Sequence, residues 1–332
     1  MKSFPVKEQV FIKSSNKTSK ILLRYSISLL VILMYTILYN IIKGNNENII
    51  DIIYTLGITT SISIIFEYII NVIRKKTDFK LIFTENNIIA IPLILTILFW
   101  KEKKIIIVIA TIITMIVRLI NKNINISSAL YGILFVLIYK CLYLHMDTPL
   151  TTLGYNVTKE EINTYGKIIT YLLNPNFYYT SILFCILSLI YLFNRKSIKY
   201  PVVFSYTITF ISMLLIYSII PPLNIWYFFL NLTCGNLFLY LTFMLPDYKI
   251  TPISYEGQVI YGIILAITSF ILKFILPEFA IIIPLILGPI VLTKYIDKLS
   301  YKLKYNKKFY HMFLTICIFL AIISIVILKI IY

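Results

Sequence analysis

The segment FMLPDYKITPISYEGQ, residues 243–258, joins two strongly apolar stretches of the chain. It contains an acid, Asp247, the prolines Pro246 and Pro252, and a Gly-Gln pair at 257–258. At membrane depth, irregular polar backbone is tolerated only where protein or a water-filled cavity satisfies its hydrogen-bonding groups. The segment therefore predicts that one membrane helix ends and the next begins here, with either a functional site or a structural turn between them.

Composition places the whole chain in a membrane. Of its 332 residues, 59% are hydrophobic and 14% are charged, whereas a soluble domain has about 45–50% apolar and about 25% charged residues. Many apolar runs approach the roughly 20 residues that cross a bilayer as a helix. The predicted fold class is an all-α polytopic membrane protein.

The apolar runs predict eleven spans, of which the third, containing Pro92, and the fourth are short. Five of them lie within residues 21–144 and five within residues 178–295, and the eleventh lies in an additional C-terminal segment, 310–332. The remaining segments are an N-terminal one at 1–20, a loop at 145–177 and a basic one at 296–309. The individual spans are 21–42, 49–72, 87–100, 104–120, 127–144, 178–194, 201–220, 225–245, 257–276, 279–295 and 310–331.

The distribution of basic residues predicts the orientation. The net charge is +17, and 22 of the 31 Lys and Arg residues fall on one side of the predicted topology. Because cytoplasmic loops of membrane proteins are enriched in Lys and Arg, that side is assigned to the cytoplasm, together with the N-terminus. The same explanation accounts for the charge without a nucleic-acid partner.

Motifs of soluble enzymes and of metal sites are missing from the sequence. The four cysteines lie singly within apolar runs, without the paired spacing of zinc or iron–sulfur sites. There is no Walker loop, dinucleotide-binding glycine pattern, HExxH or nucleophile elbow. We therefore predict no metal site, no catalytic residue and no ATP-driven transport by this chain.

One acid stands out within the apolar runs. Glu67, in the sequence FEYII, is a candidate for ion coupling, because an ionisable residue inside the membrane is costly unless it serves a function. The competing interpretation is an interfacial ion pair with Arg74 or Lys75.

Several blocks occur in the order and spacing of a known family. In FMLPDYKITPISYEGQ, seven residues match the family turn F-M-A-T-D-P-V-T-S-P-I-T-P-K-G-Q: Phe243, Met244, Asp247, Pro252, Ile253, Gly257 and Gln258. Gly235 stands where the family has a Gly-Gly pair, and FEYIINVIRKK (66–76) and IIIPLILGPIVLTKYIDKLSYK (281–302) match two further blocks. The chain thus resembles the RnfD/NqrB family, the membrane flavoproteins of Rnf-type electron-transport complexes and of the related sodium-pumping NADH:quinone oxidoreductase.

The resemblance implies a flavin site in the loop after the fifth span. Family members carry an S-G-A-T-P-L-type sequence whose threonine is esterified to FMN by a separate flavin transferase. This chain reads HMDTPLT at 145–151, so that Thr148 is the candidate for covalent FMN, and His-Met-Asp replaces Ser-Gly-Ala. The alternative is an ordinary threonine in a proline turn.

The resemblance further implies the architecture and the function. The two five-span halves would be inverted repeats, and electrons would pass through FMN, and through non-covalent riboflavin or FMN, coupled to movement of sodium ions or protons. Glu67 and Asp247 are the ion-coupling candidates, and the further cofactor-binding candidates are Thr151, Gly235, Asp247 and Pro252. The implied partners are the other subunits of a redox complex and a flavin transferase, and the implied location is the cytoplasmic (cell inner) membrane of a prokaryote.

Two other functions remain open at this stage. One is a flavin-free secondary transporter or channel-like protein of the same fold, and the other is a non-catalytic scaffold subunit of a redox complex. Whether the chain is itself an enzyme, as part of a translocase, is left open.

Overall fold

The computed structural model describes most of the chain as helices. The described residues are 18–73, 89–120, 126–143, 181–219, 228, 237–247, 251–276, 279–293, 295–299 and 307–331. Within these ranges the chain forms helices and turns and no strand, as the all-α prediction requires.

Five helices come from the first half of the chain: α1 (Thr18–Ile42), α2 (Asn46–Ile73), α3 (Ala90–Phe99), α4 (Lys104–Ile120) and α5 (Ala129–Tyr143). A 3₁₀ turn, Ile126–Ser128, leads into α5. Gly44, at φ +71°, lies in the turn between α1 and α2, where a positive φ favours glycine. Pro92 lies in the first turn of α3, where its missing N–H would have no helical partner in any case.

Six more helices follow: α6 (Ile182–Asn194), α7 (Tyr200–Ile219), α8 (Leu237–Phe243), α9 (Tyr255–Ile275), α10 (Ile282–Leu287) and α11 (Lys307–Ile331). The helix α10 continues as a π-helix over Gly288–Leu292. Residues 295–299 are helical as well. These helices lie within or close to the spans predicted from hydropathy.

Membrane crossing is supported by length and hydropathy. Four helices within the described ranges are long and apolar enough to span a bilayer, namely α1, α2, α7 and α9. The helix α3 has 10 residues and a length of about 15 Å, which is about half of the hydrocarbon thickness of roughly 30 Å. Large apolar side chains such as Ile53 and Ile65 are more than half exposed. The chain is an integral membrane protein, in which exposed apolar side chains of this kind are expected.

Close helix packing depends on glycine at one contact of the second half. A Cβ on Gly262, in α9, would overlap Ser205 Oγ and would lie 2.7 Å from the carbonyl oxygen of Val202, both in α7. Any larger side chain would therefore force the two helices apart. The contact between α7 and α9 is the most extensive between any two helices in the described part of the chain.

The helices pack in a pattern that recurs along the chain. In the first half, α1 packs on α3, α2 on both α3 and α4, and α4 on α5. In the second half, α6 packs on α8, α7 on both α8 and α9, and α9 on α10. The two halves meet where α1 contacts α6 and where α5 contacts α10. The helix α11 lies against α7 and α9.

The tenth predicted span differs from a regular helix. Hydropathy predicts an uninterrupted span at 279–295, but the structure has an α-helix that passes into a π-helix at Gly288. Pro289 has no N–H to donate to the preceding turn, which favours the wider π register. A Cβ at Gly288 would lie 2.8 Å from the hydroxyl oxygen of Tyr261, so this distorted helix packs closely on α9.

Candidate functional site

The turn that joins α8 to α9 is organised by its own side chains. Ser254 caps α9, because its Oγ accepts a hydrogen bond from the N–H of Gly257 at 3.1 Å. The side-chain amide of Gln258 donates to the carbonyl oxygens of Pro252 and Ile253 at 3.1 and 3.2 Å. These bonds satisfy the N-terminal end of a membrane helix and two carbonyls of the turn.

Asp247 connects the turn to the first half of the chain. Its Oδ2 accepts a hydrogen bond from the backbone N–H of Ser127 at 3.3 Å, in the 3₁₀ turn that precedes α5. Its carbonyl oxygen accepts a hydrogen bond from the hydroxyl of Thr251 at 3.0 Å. The acid therefore holds the turn together and fixes it to the start of α5.

Lys199, in the connection between α6 and α7, provides the positive charge of this site. Its Nζ donates to the carbonyl oxygens of Thr251 and Pro252 at 3.1 and 3.2 Å. Burial lowers the pKa of Lys199 to about 8, although the negative charges of Asp247 and Asp297 favour its protonated form. The Lys199 ammonium group thus satisfies two carbonyl oxygens of the turn as hydrogen-bond acceptors. Its positive charge also interacts with Asp247 and Asp297.

Asp297 closes the site from the segment that follows α10. Its Oδ1 accepts a hydrogen bond from the backbone N–H of Ile253 at 2.9 Å. We refer to Lys199, Asp247, Thr251, Gln258 and Asp297 as the turn cluster. The turn cluster joins four parts of the fold: the start of α5, the α6–α7 connection, the start of α9 and the segment after α10.

A second group of charges lies buried between α2 and α4. The guanidinium of Arg118 lies 3.4 Å from the carboxylate of Glu67, and these side chains are only 4% and 2% exposed. Arg118, from a neighbouring helix, is thus an ion-pair partner of Glu67 that the sequence interpretation, which named Arg74 or Lys75, did not include. Arg74 and Lys75 lie outside the described residues. Hydropathy could not indicate Arg118, because this partner is distant in sequence.

Two further ion pairs involve Glu102 and Lys104, where α3 leads into α4. Lys104 Nζ lies 2.8 Å from the carboxylate of Asp51, and both side chains are partly exposed. Lys140 pairs with Glu102, and both of these side chains are buried. These two ion pairs connect the start of α4 to α2 and the α3–α4 connection to α5.

The sequence of the chain was compared with models of protein families, and one family matches. The model of the NQR2, RnfD, RnfE family matches residues 5–296. This match includes both five-helix segments, the turn cluster except for Asp297, and Glu67. The chain belongs to this family. No curated protein matches the chain significantly.

Membership in the NQR2, RnfD, RnfE family suggests a membrane subunit of an ion-translocating redox complex. The C-terminal helix α11 lies beyond the matched residues. Asp297 directly follows the match, and the sequence block IDK at 296–298 was a signal that could have drawn attention to it. Lys199 carried no such signal, because it is one of several basic residues in RKSIK at 195–199.

The predicted flavin-site residues of this NQR2, RnfD, RnfE family member are only partly described. Thr148, Thr151 and Gly235 lie outside the described residues. Asp247 and Pro252 are described. Asp247 bonds to Ser127 and Thr251, and the carbonyl oxygen of Pro252 bonds to Lys199 and Gln258. Their assignment to cofactor binding stays a prediction.

Metal ligands do not cluster in the described part of the chain. No group of three or more His, Cys, Asp or Glu side chains occurs there that could hold a metal ion. Cys141 and Cys185 are thiols. Both cysteines lie in apolar helices, α5 and α6.

Proposed function

We propose that the chain is the flavin-bearing membrane subunit of an ion-translocating electron-transport complex, which couples electron transfer through FMN to the movement of sodium ions or protons. The observation that carries this proposal is the family match over residues 5–296. The matched region contains the turn 243–258 and the loop 145–177 with Thr148. The complete protein acts with other subunits, as a member of a translocase.

The proposed architecture is a pair of inverted five-helix repeats, α1–α5 and α6–α10. The recurrence of helix contacts supports this architecture, because contacts in the first half have counterparts five helices later. The contact α1–α3 corresponds to α6–α8, and α2–α4 corresponds to α7–α9. Likewise, α2–α3 corresponds to α7–α8, and α4–α5 corresponds to α9–α10. Equivalent helices also contact each other where the halves meet, α1 with α6 and α5 with α10. Contacts of this kind are expected across a pseudo-two-fold axis. An odd number of spans in each half gives the two halves opposite orientations.

The proposed orientation places the N-terminus and the turn cluster on the cytoplasmic side of a prokaryotic cytoplasmic membrane. Most Lys and Arg residues would then lie on that side, in agreement with the positive-inside rule. The loop 145–177 would be extracytoplasmic, where a flavin transferase and an outer redox partner could reach Thr148.

The hydroxyl of Thr148 is the proposed attachment point, as a phosphoester of FMN. Bound FMN would supply one-electron redox chemistry, while protein groups set its position and potential. Thr151 is proposed to assist at the same loop. Gly235, Asp247 and Pro252 are proposed to position a second flavin between the two halves.

Glu67 and Asp247 are the proposed ion-coupling acids. Both are held next to a cation, Glu67 beside Arg118 and Asp247 beside Lys199. Each carboxylate could exchange its basic side-chain partner for the transported ion. It would then bind and release the ion without remaining as an uncompensated charge in the membrane. This exchange would link ion movement to a change in the helices that carry the two partners.

A flavin-free transporter of the same fold is the second candidate. It is favoured by the residues His145, Met146 and Asp147, since larger side chains replace the Ser-Gly-Ala that precedes the modified threonine in related sequences. Under this alternative the same buried acids would serve transport without a redox partner.

Mass spectrometry of the peptide that contains Thr148 distinguishes the two candidates. The full chain is expressed together with a flavin transferase, and the protein is shown to be folded before digestion. An adduct of FMN mass on Thr148, lost on Thr148→Val but retained on Thr151→Val, would support the electron-transfer function. An unmodified peptide from folded protein would favour the flavin-free transporter.

A further inference from the structure

A row of polar residues follows one path along α2. Asp51, Thr55, Thr59, Ser63 and Glu67 recur at every fourth position, so that each is a neighbour of the next on the helix surface. From the first to the last the helix rises about 24 Å, most of the roughly 30 Å of a bilayer core. We call these five residues the α2 ridge. Its three hydroxyl residues have 0% exposure, and Glu67 has 1%.

The hydroxyl groups of the α2 ridge present oxygen acceptors to their surroundings. Thr59 Oγ1 donates to the carbonyl oxygen of Thr55 at 2.9 Å, and Ser63 Oγ donates to that of Thr59 at 2.8 Å. A hydroxyl that gives its proton to its own helix has lone pairs left for another partner. The hydroxyl of Thr96, from α3, lies 3.2 Å from Thr59 Oγ1. Oxygen acceptors of this kind, with a carboxylate at each end, are suited to a cation.

One end of the α2 ridge already coordinates a cation. The ammonium group of Lys104 lies 2.8 Å from the Asp51 carboxylate, 3.2 Å from Thr55 Oγ1 and 3.0 Å from the carbonyl oxygen of Trp100. A carboxylate, a hydroxyl and a carbonyl are also the ligands that a small monovalent cation takes in proteins. At the other end, the Arg118 guanidinium lies beside Glu67. Both ends of the ridge are therefore cation positions that are filled by side chains.

The two ends differ in how readily they can open. The Asp51 and Lys104 side chains are 41% and 29% exposed, and such a pair contributes little to stability. The Glu67 and Arg118 side chains are almost completely buried, and separating a buried pair is costly. The Asp51 end is thus the accessible one, and the Glu67 end is closed in the observed state.

We propose that the α2 ridge is a path for a small monovalent cation, sodium or hydronium, which displaces the Lys104 ammonium at Asp51 and passes along the hydroxyl oxygens to Glu67. This inference rests on the proposed function, which supplies the driving force for the ion. It assigns the path to the first half of the chain and gives Thr55, Thr59 and Ser63 a role as cation ligands. Small polar residues also pack membrane helices against one another, and the experiment below separates that role from cation binding.

The test uses the flavin-free full chain in nanodiscs, without an electron donor. Thermal midpoints are measured in sodium chloride and in choline chloride at equal ionic strength, because a ligand of the folded state raises the midpoint. The variant Thr59→Val removes one ridge hydroxyl and keeps the side-chain shape. The control Thr60→Val removes a hydroxyl that bonds to the carbonyl oxygen of Leu56 at 2.7 Å and lies outside the ridge. Circular dichroism confirms that both variants fold.

A second measurement follows Glu67 itself. Dicyclohexylcarbodiimide reacts with protonated carboxyl groups in apolar surroundings, and peptide mass spectrometry locates the product. If added sodium slows the labelling of Glu67 at constant pH, sodium is the ion that binds there. Labelling that rises as the pH falls and does not respond to sodium identifies hydronium.

If sodium is the ion, sodium raises the thermal midpoint of the wild type. The apparent affinity for sodium, obtained from that rise, falls about tenfold or more in Thr59→Val. The same affinity is unchanged in Thr60→Val. If hydronium is the ion, Thr59→Val slows the pH-dependent labelling and Thr60→Val does not. The proposal is overturned if the two variants behave alike, or if Glu67 is unlabelled at every pH and sodium leaves the midpoint unchanged. Because no flavin is present, failure of the Thr148 assignment would leave this result intact.

Discussion

The carboxylate of Asp297 accepts a hydrogen bond from the backbone N–H of Ile253, with 2.9 Å between the two atoms. The two residues are 44 positions apart, and the bond connects the segment after α10 to the turn before α9. Lys199 binds two carbonyl oxygens of the same turn. Polar groups of a turn that interrupts the membrane helices are thus satisfied by side chains from distant parts of the chain.

The stability of the protein should respond to the titration of Lys199. Its pKa in the folded state is about 8, against 10.5 for an ordinary lysine, so between these values the folded protein binds fewer protons than the unfolded one. The free energy of unfolding should therefore rise with pH over this window. We expect the wild type to gain stability relative to Lys199→Met as the pH is raised from 8 to about 10.

Thermal midpoints of the two proteins, measured in parallel over that range, provide the check. Asp247 and Asp297 are the charged groups that act on Lys199. A difference that stays constant or falls with pH would contradict the assignment.

Neutralising Glu67 should be strongly destabilising. Glu67→Gln removes the carboxylate that compensates the buried guanidinium of Arg118, and breaking a buried ion pair in this way costs about 3–5 kcal/mol. The double variant Glu67→Gln, Arg118→Met should lose less than the sum of the two single variants. Asp51→Asn is the matched control, because its ion pair with Lys104 is partly exposed and should contribute no more than about 1 kcal/mol.

Chemical denaturation of the purified protein in detergent measures these differences. Equal losses for Glu67→Gln and Asp51→Asn would show that the two ion pairs do not differ in the way that their burial predicts.

Substitution of Gly262 should disturb the contact between α7 and α9. The new Cβ of Gly262→Ala would lie 2.7 Å from the backbone oxygen of Val202, which cannot move without shifting α7. We expect a loss of about 1–3 kcal/mol, typical of overpacking. At Gly57, in α2, an added Cβ would have no heavy atom within 4 Å, so Gly57→Ala should instead raise stability by up to about 1 kcal/mol through helix propensity.

The same denaturation assay compares the two alanine variants. Should Gly262→Ala prove as stable as the wild type, the close approach of α7 and α9 would not occur in the membrane.

The proposed orientation makes a separate prediction about labelling from outside the cell. Cysteines placed singly at Lys159 and at Lys302, after replacement of the four native ones, lie on opposite sides of the proposed topology. A membrane-impermeant maleimide should label Lys159→Cys in intact cells and Lys302→Cys only after lysis. The reverse pattern would invert the assigned orientation.

The sequence predicted the helices well where apolar runs end at polar residues. The predicted span 104–120 coincides with α4, Lys104–Ile120, and the span 201–220 nearly coincides with α7, Tyr200–Ile219. In both cases the helix follows a basic or polar connection. The change from α- to π-helix at Gly288 was not predicted, because it reflects packing against Tyr261 as well as the local effect of Pro289.

The site was predicted in part, and the missing part is tertiary. Asp247 and Glu67 were found because each is an acid in or beside an apolar run, which is unusual enough to attract attention. Lys199 and Arg118 were not, since a basic residue near a helix end is expected of any membrane protein. Only the fold shows that Arg118 lies beside Glu67 and that Lys199 lies between two aspartates.

The eleventh helix makes the two halves of the molecule unequal toward the lipid. The helix α11 lies on α7 and α9, whereas their counterparts in the proposed repeat, α2 and α4, have no such added helix among the described residues. Only 22% of the most apolar window of α2 is buried, compared with 44% for α7 and 50% for α9. Helix α2 therefore offers a surrounding lipid or protein surface more uncovered apolar area than α7 or α9 does.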